Sequence, residues 1–469
     1  MSIESVRGTV LNGGRVTGLP PHLVGLNESP DCVDIDPSDY RGASSRPGSA
    51  QFGTSFTTAS GGSAIGAFHW TRNNGSIYLL AAHSGTLYDI GSGGTWASFF
   101  SNIIANGRVG FGALNNQVVV AGQGTGLYIS SDASVFTAIG AGTYLPAEGR
   151  YTAVWKSKLW VAGDPSNPQR VSFSASNDPT DFTTANNSGN ITIGAGDGDI
   201  INGLLATTNA LIVFKRKKVY AVFGDTPVNF NVFEVHSSGL SSELGYAAGD
   251  RLGFFVSDDG VYSISGGNTS KISNKNKQDF DDISDKTKIH LACSGDKLFI
   301  TAYAESSPYS LVLDYKRGVW SKYAAQPFKG YALSRDNKLY AITNASTMQA
   351  YQVDTGTSGS ISPYWATPDI DSGDMSVLKT LQQYYFHMKP ATATTSLTVR
   401  HYANGASTGN DSTLTFGTTA EHDIQRAHGQ SMKGRFFRLR ATWTGDRTLY
   451  GYQIYADVRA DGVPGRSDS

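Results

Sequence analysis

The stretches QVVVAG (117–122) and KLWVAG (158–163) decide the fold, because the same short pattern recurs along most of the chain. Each is a run of branched aliphatic residues opened by a polar one. The other copies are SIYLLAA (76–82), ALIVFK (210–215), RLGFFV (251–256), KLFITA (297–302) and KLYAIT (338–343). Their first aliphatic positions, from Ile77 to Leu339, are 41, 41, 52, 41, 46 and 41 residues apart. Such regular spacing indicates a repeated structural unit.

Each unit holds four short strands. A Gly/Ala-rich strand precedes the repeated pattern, as in VGFGALN (109–115), and another strand follows it, as in GLYISS (126–131). In most units a fourth strand carries an aromatic residue such as Trp96 or Trp320. Four strands in about 41 residues are typical of a β-propeller blade. A β-sandwich also has closely spaced strands, but it has no reason for a regular period. We therefore predict an all-β protein containing a β-propeller of about seven four-stranded blades.

The segments on either side of the repeats differ in composition. The repeats occupy 61–362, and 1–60 is rich in Pro, Gly and Ser, which indicates an N-terminal extended arm. The end of this arm, QFGTSFTT (51–58), could pair with the last blade and close the ring. Residues 363–469 lack the period and predict a C-terminal β-sandwich with a flexible tail at 462–469. Within it, alternation in FFRLRATW (436–443) predicts a half-buried strand with one apolar face formed by Phe437, Leu439, Ala441 and Trp443.

Composition excludes several classes of protein. Only 16% of the 469 residues are charged, against about a quarter in an average soluble chain, so a mainly helical protein is not expected. Aromatic residues make up 11% of the chain, which argues against disorder. The net charge of −1 implies no general attraction to nucleic acid or anionic membranes. No apolar run approaches the roughly 20 residues of a transmembrane helix, so no membrane span is expected. Cys32 and Cys293 are expected to be free structural thiols.

Motifs of catalysis or metal binding are missing from the sequence. It contains no HExxH pair, no GxSxG elbow and no phosphate-binding GxxxxGK[ST] loop. The glutamates are too scattered to nominate the carboxylate pair of a glycosidase. The acidic run DFDDISD (279–285) could bind calcium, but it lacks the glycine and distant glutamate of an EF-hand, which favours a solvated turn. We expect no catalytic residue, no cofactor, no metal site and no enzymatic activity.

Two basic groups are candidate contacts for a partner or for DNA. One is the run in the fourth repeat, formed by Lys215, Arg216, Lys217 and Lys218. The other lies in the C-terminal domain and comprises Arg435, Arg438 and Arg440. Basic side chains of this kind can contact phosphate. A solvated hairpin tip is the alternative interpretation of the first group.

The order of the domains resembles the tail hub or nozzle proteins of short-tailed bacteriophages, of the packaged-DNA stabilisation type. The resemblance rests on this order and on three phrases, RGASSRPGS (41–49), NPQRVSFSASNDPTDF (167–182) and TPDIDSGD (367–374). It implies a structural virion protein, made in the host cytoplasm, that assembles as a homo-oligomeric ring of six copies in the phage tail. The implied partners are the portal and adaptor proteins, tail fibres or tailspikes, and double-stranded DNA that passes non-specifically during ejection. The ring would also retain the packaged genome.

Two other functions remain open at this stage. One is a carbohydrate-binding or glycan-hydrolysing propeller, such as a tail adhesin or a sialidase-like protein. The other is a cellular propeller scaffold, although the chain lacks WD and kelch signatures.

Overall fold

The protein is described here from a computed structural model. It describes residues 2–57, 64–91, 96–101, 107–122, 124, 126–185, 187–343, 347–356, 361–373, 376–389, 395–406, 408–417, 423–429 and 432–458. The predicted flexible tail at 462–469 lies outside these residues.

Seven four-stranded antiparallel sheets form the blades of a β-propeller, which confirms the predicted fold class. Each of the first six blades runs in chain order from its innermost to its outermost strand. Blade 1 is Ala64–Thr71, Ile77–His83, Thr86–Asp89 and Ala97–Phe100. Blade 2 is Val109–Leu114, Gln117–Gly122, Gly126–Ser130 and Thr137–Ala138. Blade 3 is Tyr151–Trp155, Lys158–Ala162, Arg170–Phe173 and Gly189–Thr192.

The next three blades follow the same pattern. Blade 4 is Ile201–Ala206, Leu211–Lys215, Val219–Phe223 and Asn231–His236. Blade 5 is Tyr246–Ala248, Gly253–Ser257, Gly260–Ser265 and Asn268–Lys271. Blade 6 is Ile289–Ser294, Lys297–Ala302, Tyr309–Asp314 and Val319–Ala324. The innermost strands carry small residues because they lie close together around the axis. At Gly110, for example, an added Cβ would lie 2.7 Å from the carbonyl oxygen of Arg150, next to the innermost strand of blade 3.

Blade 7 closes the ring with a strand from the N-terminal part of the chain. Its own strands are Phe328–Leu333, Leu339–Thr343 and Thr347–Val353, and Ser49–Thr57 supplies the outermost one. In this pairing Phe52 lies opposite Ala350 and Ser49 opposite Val353. The closure expected from QFGTSFTT is therefore present, and it joins the two ends of the propeller through backbone hydrogen bonds.

A β-sandwich packs beside the propeller. Its first sheet has the strand order Asp423–His428, Lys379–Met388, Thr448–Val458, Ala43–Ser45 and Ile35–Asp36. Two more strands join this sheet: Ser2–Thr9 pairs with Thr448–Val458, and Lys433–Gly434 pairs with Lys379–Met388. The second sheet is Asn410–Phe416, Thr395–Ala403, Phe437–Thr442, Tyr364–Ala366 and Cys32–Val33. As the alternation predicted, Phe437, Leu439, Ala441 and Trp443 are buried between the sheets.

The N-terminal segment is more than an extended arm. Strands within 2–45 lie in both sheets of the sandwich, and Leu11, Cys32, Ile35 and Ala43 belong to its core. A short parallel ladder joins Gly14–Arg15 to Glu28–Ser29. The interpretation of 1–60 as an arm missed this role because these strands are only two to eight residues long and several of them pair with partners hundreds of residues away.

Helices are few and short. The single α-helix of the described residues is Lys277–Asp281, and 3₁₀ turns occur at Pro21–Leu23, Ser273–Asn276 and Lys286–Lys288. Within the described ranges, none is long or apolar enough to cross a membrane.

Buried ion pairs join the sandwich to the propeller. Arg46 Nε donates to Asp34 Oδ1 at 2.6 Å, and its guanidinium lies 4.9 Å from the ring centre of Tyr323 in blade 6. Lys297 of blade 6 contacts Asp36 at 3.0 Å and Asp354 at 2.7 Å. Burial alone would lower the pKa of Lys297, but these two carboxylates raise it above its ordinary value. At this junction each buried basic side chain is therefore paired with at least one carboxylate.

Candidate functional site

A cavity opens at the mouth of the central channel of the propeller. Because each blade begins with its innermost strand, the beginnings of these strands meet on one face of the ring. A cavity of about 610 Å³ opens there. It is lined by residues at these beginnings, including Arg108 of blade 2, Asn202 of blade 4, Glu243 of blade 5, Lys288 of blade 6 and Lys329 of blade 7. Residues far apart in the sequence thus converge on one site, which we call the mouth cavity.

The lining of the mouth cavity is mainly cationic. Its charged side chains are the basic Arg108, Arg216, Lys288 and Lys329 and the acidic Glu243 and Asp258. Glu243 is partly neutralised because Arg150 Nη1 lies 3.4 Å from its Oε1. The cavity therefore carries an excess of positive charge, although the whole chain has a net charge of −1.

Arg108 is held against aromatic rings. Its guanidinium carbon lies 4.6 Å from the ring centre of Tyr246 and 5.7 Å from that of Tyr151. The Nε and Nη1 atoms are buried without a hydrogen-bond partner in the described part of the chain. Arg108 forms no ion pair there within 4.0 Å either. Its charge is therefore fixed in position by cation–π contacts, with no carboxylate of the described residues paired to it.

Lys329, at the beginning of the innermost strand of blade 7, also lines the mouth cavity. Burial, followed by the like charge of Lys288, lowers the pKa of Lys329 to about 8. Its Nζ lies 5.6 Å from the ring centre of Tyr303, a buried residue that also lines the cavity. Burial, followed by the charges of Asp285 and Glu243, raises the pKa of Tyr303 to about 12. Near neutral pH the cavity therefore offers one lysine that is close to titrating and one neutral phenol.

Hydrogen bonds between blades hold the segment that carries Glu243. Leu240 N donates to the carbonyl oxygen of Lys215 in blade 4 at 2.9 Å. Ser242 Oγ donates to the carbonyl oxygen of Ile289 in blade 6 at 2.6 Å. Leu291 N donates to the carbonyl oxygen of Leu244 at 3.0 Å. The segment thus bridges blades 4 and 6, so the wall of the mouth cavity is built on rigid strands.

The basic run of the fourth repeat is not one exposed patch. Lys215 is fully buried at the end of strand Leu211–Lys215, where its Nζ donates to Asp197 at 2.7 Å. Lys218 pairs with Glu234 at 2.6 Å. Arg216 and Lys217 are exposed, and Arg216 lines the mouth cavity. The run divides because the strand directs Lys215 into the blade while the turn carries its neighbours outward.

The C-terminal arginines have partners within the sandwich. Arg438 contacts Asp369 at 2.8 Å, and the guanidinium carbon of Arg440 lies 3.5 Å from the ring centre of Tyr364. Arg435 Nη1 donates to the carbonyl oxygen of Ser376 at 2.9 Å. None of the three lines the mouth cavity. The structure therefore does not bring the two basic groups into one site.

Arg108, Glu243 and Lys329 were not predicted from the sequence as residues of one site. A usable signal was present, because Arg108 directly precedes VGFGALN, a strand already assigned to the propeller axis. Charged residues at the beginnings of several innermost strands have to meet at one mouth. Their identity can be read from the sequence only after the ring has been assigned.

Comparisons with known proteins concern the propeller. No family model matches the chain, and no curated protein matches it either. Similar solved structures include virginiamycin B lyase from Staphylococcus aureus, with a TM-score of 0.45 and 11% identity, covering 64% of this chain and 98% of that one. A streptogramin B lyase structure has a TM-score of 0.44 and 11% identity, covering 64% and 96%. YCF48 bound to D1 peptide has a TM-score of 0.43 and 10% identity, covering 65% and 98%.

These comparisons correct one expectation. The sequence predicted no enzymatic activity, but the similar structures include lyases, which contradicts that prediction. The absence of familiar motifs is a poor guide here, because a propeller assembles its sites from single residues on different blades. At such low identity the likeness concerns the fold alone and transfers no reaction to this chain.

Proposed function

We propose that this protein is a structural subunit of the tail of a short-tailed bacteriophage, of the nozzle or hub type. The observation that carries the proposal is the joining of both chain ends into one sandwich beside the propeller. The resemblance rests on the order of N-terminal segment, propeller and C-terminal sandwich. Because the N-terminal segment contributes strands to the sandwich, these three parts form one architectural unit. A rigid subunit of this kind suits a ring that withstands the pressure of a packaged genome.

The three phrases that carry the resemblance have structural roles that support the proposal. In RGASSRPGS, Ala43–Ser45 is a strand of the sandwich, and Ser49 begins the strand that closes the propeller. In TPDIDSGD, Ile370 forms a bridge to Phe437 in the sandwich. In NPQRVSFSASNDPTDF, Arg170–Phe173 is the third strand of blade 3. The phrases therefore lie at domain junctions or within a blade, where architecture depends on them.

In this proposal six copies surround a channel in the virion tail, below the portal and adaptor proteins, with tail fibres or tailspikes attached outside. Double-stranded DNA passes through the centre of the ring and not through a propeller, whose axis is closely surrounded by the inner strands of its blades. The near-zero net charge suits a conduit along which DNA must slide.

Native mass spectrometry and negative-stain imaging of the full chain test this proposal, with and without the portal–adaptor complex of the same virion. The expected result is a closed ring that adds to the adaptor, and the adaptor alone serves as the control. A chain that stays monomeric at every concentration and does not bind the adaptor would contradict the proposal.

The mouth cavity favours a second candidate, a carbohydrate-binding or glycan-hydrolysing propeller. Glu243 and Asp258 both line it, together with the phenol of Tyr303. Turnover of an acidic polysaccharide by the purified chain, lost in Glu243→Gln, would support this candidate. Equal turnover by the variant would show that Glu243 is not needed.

A further inference from the structure

We propose that the mouth cavity binds a small anionic ligand, whose carboxylate or phosphate group is held between Arg108 and Lys329. This site goes beyond the tail function and does not depend on it.

The balance of charge favours an anion. Four basic side chains and two acidic ones line the cavity, and the Glu243 carboxylate already has Arg150 beside it. Like charges close together destabilise a folded protein unless a counter-charge is present. Burial, followed by the like charge of Lys288, lowers the pKa of Lys329. A bound anion would favour the charged form of Lys329.

Arg108 supplies the specific contact. A buried guanidinium nitrogen without an acceptor costs free energy, because its hydrogen bonds to water are lost and not replaced. Here Nε and Nη1 are in that state in the described part of the chain, and Tyr246 and Tyr151 hold the group in place. The planar guanidinium matches the two oxygens of a carboxylate or phosphate. A ligand oxygen at Arg108 would therefore provide the acceptor that the described residues do not supply.

The space and the remaining polar groups indicate the class of ligand. A volume of about 610 Å³ lies within the roughly 300–1,000 Å³ of small-molecule sites. Asn202, Ser241, Ser242 and Thr287 also line the cavity. The three hydroxyls already donate hydrogen bonds within the protein, but their oxygens and the Asn202 amide can accept hydrogen bonds from ligand hydroxyl groups. An acidic sugar or a sugar phosphate combines an anionic group with such hydroxyls. These two share the chemistry that the cavity recognises, and the experiment below distinguishes them.

Isothermal titration of the purified full chain tests the proposal with glucuronate, glucose 6-phosphate and glucose as probes. The expected result is binding of one or both anionic probes, with affinity falling as salt is added, and no measurable binding of glucose. Preference for glucuronate would assign a carboxylate ligand, and preference for glucose 6-phosphate a phosphate ligand. Binding of glucose as strong as that of the anions would overturn the proposal.

Variants place the binding in the mouth cavity. Arg108→Gln is expected to weaken binding about ten- to a hundredfold, because one charge-assisted contact is lost. Lys329→Met is a second, independent variant in case the first does not fold. The matched control is Arg251→Gln, because Arg251 is exposed in the turn after the innermost strand of blade 5, at the other end of that strand. Wild-type affinity in both cavity variants, or equal loss in the control, would overturn the proposal.

Discussion

Arg15 is the residue at which the joining of sandwich and propeller can be tested most directly. It is 7% exposed and lies in the N-terminal segment, whereas its partner Asp279 is 4% exposed and lies in the helix Lys277–Asp281 of the propeller. Arg15 Nε and Nη2 donate to the two carboxylate oxygens of Asp279 at 2.7 and 2.8 Å. Burial alone would lower the pKa of Arg15, but the hydrogen bonds and charge of Asp279 raise it. The pair is thus a buried, bidentate contact across the domain junction.

The perturbation is Arg15→Met, which keeps much of the side-chain volume and removes the charge. Removing one member of a buried ion pair typically costs about 3–5 kcal/mol, because the other charge stays buried without compensation. Lys322 Nζ lies 3.8 Å from Asp279 and Thr17 Oγ1 donates to it at 3.2 Å, so part of the compensation remains. We therefore expect Arg15→Met to lower the free energy of unfolding by about 3 kcal/mol, near the lower end of this range.

Urea unfolding followed by tryptophan fluorescence measures this loss as a change in the free energy of unfolding. The double variant Arg15→Met with Asp279→Leu should recover most of it, because replacing both charges by apolar groups is often neutral. Arg41→Met is the control: Arg41 is 67% exposed in its side chain and lies 3.6 Å from Asp39, so about 1 kcal/mol or less is expected. A loss below about 1 kcal/mol in Arg15→Met, or no recovery in the double variant, would refute the reasoning.

Three further predictions concern the cavity, the core and the thiols. Because the pKa of Lys329 is lowered to about 8, its charge is lost as the pH rises through that value, so the affinity for an anionic probe should fall between about pH 7 and about pH 9. Isothermal titration should show a much smaller fall in Lys329→Met. Trp160 is fully buried with ring centres of Phe173 and Phe230 at 4.6 and 5.2 Å, so Trp160→Ala should lose about 3–5 kcal/mol in urea unfolding. Val228→Ala, at a residue that is 86% exposed, should stay within about 0.5 kcal/mol. Burial raises the pKa of Cys32 and Cys293 to about 12, so neither should react with Ellman's reagent in the native protein and both should react in denaturant; rapid native labelling would contradict this burial.

The repeat pattern predicted the propeller because its spacing reflects a local structure. Leu159, Leu211 and Leu298, which were used to measure the period, are all fully buried in the second strands of their blades. The pattern was less reliable at the first repeat, where Ile77 is 49% exposed. A strand and its hairpin are formed by neighbouring residues, so their signal survives in the sequence.

Pairing over long distances could not be predicted in the same way. Ser2–Thr9 pairs with Thr448–Val458, and Cys32–Val33 with Tyr364–Ala366. Short strands separated by Pro, Gly and Ser carry no information about which partner they will find. The burial of Lys215 could not be predicted either. Its partner Asp197 lies in the connection that precedes blade 4, and nothing in a basic run shows which lysine is buried.

The sequence by itself predicted the all-β class, about seven blades and a candidate strand for closing the ring, because each depends on period and on alternation along a few neighbouring residues. Only the tertiary structure decided that both chain ends share a sandwich and that Arg108, Glu243 and Lys329 meet at one mouth. The physical reason is that closing a ring brings the beginnings of its innermost strands together. Charge and burial at the mouth therefore depend on residues more than two hundred positions apart, and no local pattern records such proximity.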